Sequence, residues 1–122
     1  MTYTNSDRTF QVWLYKVSHG QLLIRSPKSE GQSTNLDLMF FGVRFIHLPM
    51  LFRGLEVADS SVEEVSRSTT IVEHYGLSSK AYGLFSGSGR YWVLADSVEV
   101  EENDLDIFSS RLDIRGHVGP EG

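Results

Sequence analysis

TNLDLMFFGVRFIHL, residues 34–48, is the longest apolar stretch of the chain, and Pro49 stops whatever it forms. Within it only Asp37 and Arg44 are charged. The run is dense in Phe, Val and Ile, and Gly42 interrupts it where a helix would lose stability, so it reads as a strand covered on both faces. Strict alternation would place Arg44 on one face with Leu36, Leu38 and Phe40. A bulge at Phe41 and Gly42 removes that conflict, because one extra residue moves Val43 and Phe45 onto the apolar face and sends Arg44 and Ile46 to the other.

Working outward, residues 10–18 (FQVWLYKVS) are aromatic and β-branched, His19-Gly20 supplies a turn, and residues 21–26 return as a second strand. Pro27 ends that hairpin, and residues 28–33 (KSEGQS) have the composition of a surface loop. On the other side, residues 50–54 turn the chain and 55–57 add a short strand. Ser60 and Ser61 precede Glu63 and Glu64 at capping-box spacing, and Val62, Val65, Thr69 and Val72 recur at helical spacing. A helix over 61–75 is expected, although the β-branched run 69–72 suits a strand as well, which leaves 69–75 open between the two. Residues 80–85 and 90–100 flank Ser86-Gly87-Ser88-Gly89 as a second hairpin. Residues 101–104 form an acidic turn, and Leu105, Phe108 and Leu112 repeat at the spacing of a short helix capped by Asn103 or Asp104. Residues 1–8 and 116–122 are expected to be loose.

The expectation is a single α+β domain over residues 1–122: a mostly antiparallel sheet of five or six strands, one main helix and a short C-terminal helix.

Composition narrows the function. The 122 residues include no cysteine, which excludes a disulfide framework, a thiolate zinc site and a cysteine nucleophile. Residues 1–8 are polar and no apolar run reaches membrane-spanning length, so a cytoplasmic protein with neither secretory signal nor membrane partner is expected. A net charge of -5 opposes phosphate neutralisation, and nucleic acid is not an expected partner.

No motif carries chemistry. The Ser-Gly loop lacks the lysine and the strand-to-helix turn of a phosphate-binding loop. The histidines at 19, 47, 74 and 117 have no metal-ligand spacing, and no metal or cofactor is expected. Ser18 and His19, as neighbours on a strand, should point apart. His47 ends the central strand and is a candidate for the rim of a pocket. Asp96 falls by alternation on the face of Trp92, Leu94, Val98 and Val100. There it must pair with Arg25 or Arg44, or be turned outward by a bulge at Ala95 and Asp96. Glu101, Glu102 and Asp104, with Glu99 and Asp106, form a dense carboxylate group suited to solvent or to a basic partner.

These features favour a non-enzymatic protein-binding domain, for example a small acidic protein that binds and neutralises a basic partner. The alternative is a small-ligand-binding protein or small enzyme drawing on His47, Asp96, Arg25 and Arg44. A homodimer that completes its sheet across two chains is a third reading.

Overall fold

In the computed structural model, which describes residues 2–60, 80–106 and 109–112, the stretch 34–48 forms two strands that meet at a corner. In chain order the strands are β1 (Thr2–Lys16), β2 (Gln21–Ser26), β3 (Asn35–Phe41), β4 (Phe45–His47), β5 (Leu51–Ser60), β6 (Lys80–Ser86), β7 (Gly89–Ala95) and β8 (Ser97–Asn103). All neighbours are antiparallel, in the order β4-β7-β6-β5-β1-β2-β3-β8.

The two ends of that order belong to the same corner. β3 runs on into β4, and β7 into β8, while β3 pairs β8 and β4 pairs β7. Counting each bent pair once, the sheet closes on itself as a barrel of six strand positions. Closure removes most of the exposed sheet edge. Between Phe41 and Phe45 the chain has one residue more than between Leu94 and Ser97, the signature of a bulge. Gly42 takes φ 67° there, a left-handed value that glycine adopts without steric cost.

The interior is filled with side chains. Phe10, Leu22, Ile24, Leu38, Phe40, Val57, Leu84, Val93 and Ala95 are fully buried in one cluster, joined at its margins by Tyr3, Val12, Ile46, Leu48, Val98 and Val100. Phe10 stacks on Phe52 and Phe40 meets Tyr82 edge-on. Each large apolar side chain buried this way contributes roughly 1.5–3 kcal/mol of transfer free energy. Two smaller clusters lie outside the barrel wall: Leu23, Met39 and Leu112, with Trp13, Leu14 and Phe41, and Ala81 and Leu94, with Phe45 and Trp92.

The α+β expectation is overturned. The described residues form an antiparallel sheet of eight strands and contain no helix of seven or more residues. Three polar segments account for much of the difference. Residues 2–5, expected to be loose, pair with Leu55 to Ala58 as the first half of β1, and β5 runs from Leu51 to Ser60 where only 55–57 were expected to be extended. Residues 101–103, expected as an acidic turn, continue β8 opposite Leu36 and Asp37. In each segment ladder bonds to both or one of its neighbours hold a strand that side-chain hydrophobicity does not announce. Residues 104–106 are irregular rather than the start of a helix, and the expected helix over 61–75 lies outside the described residues, as does 116–122.

Both hairpins form. Lys16 passes through a 3-10 turn, Val17–His19, to Gly20 at φ 59°, and β6 joins β7 through Gly87-Ser88 with Gly87 at φ 58°. Among the described residues no helix is long and apolar enough to cross a membrane.

Candidate functional site

The residues singled out from the sequence are distributed over three separate places. Asp96 and Arg44 meet at the barrel corner. Arg44 Nη1 donates to Asp96 Oδ1 at 2.7 Å and to the Gly42 carbonyl at 3.1 Å, with the two side chains 39% and 56% exposed. Asp96 does not point inward, because Tyr91, Val93 and Ala95 face the interior before it and Val98 and Val100 after it. The alternation therefore slips by one at Asp96 and Ser97, which turns the carboxylate outward. The same slip explains the partner strand. Val43 is inside and Arg44 outside as expected, whereas a second slip at Arg44 and Phe45 reverses the expected places of Phe45 and Ile46.

Arg25 belongs to a buried cluster on the outer face of β2 and β3. It lies directly opposite Asp37 in the ladder, and both side chains are fully buried. Arg25 Nε donates to Asp37 Oδ1 at 2.6 Å, Nη2 to Oδ2 at 2.9 Å, and Nη2 also to the Ser109 carbonyl at 2.8 Å. Asn103 Nδ2 donates to Asp37 Oδ2 at 3.0 Å, and the Trp13 ring lies 5.4 Å from the guanidinium. The fork geometry and these extra partners offset the cost of burying two charges. Residues 109–112 cover the pair, so Arg25 presents no group to a ligand. The cluster fastens the last described residues to the barrel, helped by the Lys16 ammonium donating to the Leu112 carbonyl at 3.2 Å.

His47 is exposed on β4, with its ring centroid 5.2 Å from Trp92 and 6.0 Å from Tyr91. Its ring contacts pack it against β7. Ser18 and His19 do meet, Oγ to Nδ1 at 2.8 Å, because they occupy a 3-10 turn rather than a strand. The pair is exposed, and among the described residues its histidine has no orienting carboxylate.

The acidic group is partly neutralised. Arg111 pairs with Glu99 and approaches Glu101 at 3.9 Å, and Glu102 accepts from Thr34 Oγ1. Lys28 donates to the Asp104 backbone carbonyl at 2.9 Å. Glu102, Asp104 and Asp106 remain exposed at the barrel end that also carries the β2–β3 loop.

Two groups were missed in the sequence. Asp37 was visible as a charge inside an apolar run, and it stands directly opposite Arg25 across the hairpin. Arg8 was assigned to a loose terminus, yet it is 8% exposed. Burial raises the Tyr3 pKa above the ordinary tyrosine value of 10.0. A hydrogen bond with Asn5 and the charge of Arg8 oppose that shift.

Large apolar side chains are exposed at the other end of the barrel: Tyr15 at 41%, Val17 at 77%, Met50 at 68% and Leu51 at 60%. There β5 pairing stops at Gln11, the Val12 amide bonds to the Met50 carbonyl at 2.9 Å, and beyond it, among the described residues, β1 is paired by β2 alone. No family model matches the chain, and neither a curated protein nor a solved structure matches it.

Proposed function

We propose that the chain is a non-enzymatic protein-binding domain whose partner is basic. The observation that carries this reading is the exposure of Tyr15, Val17, Met50 and Leu51 where β1 runs past β5. Exposed apolar groups of this kind, beside an unshared strand edge, suit a protein surface that supplies both apolar contacts and backbone bonds. His47, Arg25 and the Arg44–Asp96 pair lie at three separate places, which fits the same reading. A net charge of -5 favours encounter with a basic protein.

The test is capture from the native host with two immobilised baits, wild type and a Val17→Ser/Met50→Ser/Leu51→Ser variant. A basic protein retained by wild type and lost by the variant supports the reading. Retention of the same proteins by both baits contradicts it.

A further inference from the structure

Arg8 is a buried cation with no carboxylate partner among the described residues. Its place is set by an irregularity in β1. Between Asn5↔Leu55 and Thr9↔Arg53, β1 carries three residues against the single Gly54 of β5. Asn5 Oδ1 accepts from the amides of Asp7 and Arg8 at 3.0 and 3.1 Å and fixes the bulge, while Gly54, at φ 70°, lies against the Ser6 backbone. The bulge directs Arg8 away from β5 toward the end of β2. Nε donates to Ser26 Oγ at 3.0 Å, and Nη2 to the carbonyls of Ser26 at 3.1 Å and Thr34.

Every one of these acceptors is neutral. A buried guanidinium is ordinarily matched by a carboxylate. Nη1 has no acceptor among the described residues, and Arg8 lines an open depression of about 420 Å³ between β1 and the β2–β3 loop. The depression is also lined by Asp7, Gln11, Ser29 and Gln32. These are hydrogen-bonding groups, with a single carboxylate beside the cation. The wall opposite β1 is a tight turn closed by Ser29 and Gln32, whose backbones exchange bonds of 2.8 and 3.0 Å.

We propose that this depression binds a small zwitterion, an α-amino acid, with its carboxylate on Arg8 and its ammonium on Asp7. The arginine offers Nη1, with two N–H donors, to a carboxylate, and its guanidinium is held in place by three protein acceptors before any ligand arrives. Asp7 decides the class. It is exposed, repels a dianion such as phosphate, and complements a ligand that carries a positive group next to its carboxylate. Gln11 of the depression stands opposite Leu51 in the β1–β5 ladder, and titration with a small molecule reads this site without the protein partner.

The test is an amide-resolved NMR titration of the full chain with glycine, N-acetylglycine and inorganic phosphate. Glycine is expected to shift the amides of 7–11 and 28–32 saturably, N-acetylglycine more weakly because it lacks the ammonium, and phosphate not at all. Asp7→Asn keeps the backbone bond to Asn5 and should weaken glycine about fivefold, the worth of one exposed ion pair, without weakening N-acetylglycine. Arg8→Gln should abolish both responses if the variant folds, and Asp7→Asn decides the matter if it does not. No saturable shift with glycine, equal binding of glycine by wild type and Asp7→Asn, or tighter binding of phosphate than of glycine would overturn the proposal.

Discussion

Gly42 lies against the carboxylate of Asp96 at the corner where the barrel closes: a Cβ on Gly42 would fall 2.6 Å from Asp96 Cγ. The contact joins the two bends that let β3–β4 pair with β8 and β7 in turn. Gly42→Val adds this collision to a left-handed backbone and should destabilise the domain by ~1–3 kcal/mol. Gly42→Val combined with Asp96→Gly relieves the collision and leaves the backbone strain. A denaturant midpoint for the double variant closer to wild type than that of Gly42→Val is the expected result.

Arg25–Asp37 is a buried ion pair, and Arg44–Asp96 is an exposed one. Asp37→Ala leaves the Arg25 charge buried without its carboxylate and should cost ~3–5 kcal/mol. Replacing both members, as in Arg25→Met/Asp37→Leu, should recover much of that loss. Asp96→Ala should stay within about half a kcal/mol of wild type, as exposed pairs contribute little. Urea melts of the variants place them in this order.

Tyr3 links stability to alkaline pH. Its raised pKa means that the folded chain holds the phenol proton more tightly than the unfolded one, so stability present below the ordinary value of 10.0 is lost as pH rises through the folded value. Tyr3→Phe removes this contribution. Relative to wild type, the variant should therefore gain stability between neutral pH and about pH 11, a difference measurable by chemical denaturation at the two pH values.

Local patterns made the hairpins and the bulge at Gly42 readable in the sequence. Closure was not readable, because it depends on two strands that each change faces in mid-course. Alternation counted through Asp96 joins Trp92 and Leu94 to Val98 and Val100, although the first two face outward and the last two inward. Polar strands were hidden for a related reason. Thr2 to Asn5, with Tyr3 packed on the core, and Glu101 to Asn103 pair in the ladder although most of their residues are polar. At the candidate sites, Arg25 and Arg44 were named as possible partners of Asp96, and Arg44 is the one that pairs with it. Asp37 was passed over beside them. Arg8 was illegible, since only the bulge in β1 turns it inward.

The exposed carboxylates Glu102, Asp104 and Asp106 should act on a basic partner by long-range attraction. Association rates measured from low to physiological salt should fall, with dissociation rates changing much less. Glu102→Gln/Asp104→Asn should flatten that salt dependence.

The affinity of the captured partner for wild type and for the Val17→Ser/Met50→Ser/Leu51→Ser variant, measured by calorimetry, tests the proposed binding surface most directly. Loss of buried apolar anchors at an interface core predicts a decrease of about tenfold or more, with the fold of the variant unchanged by circular dichroism. Equal affinity for the two proteins would contradict the account.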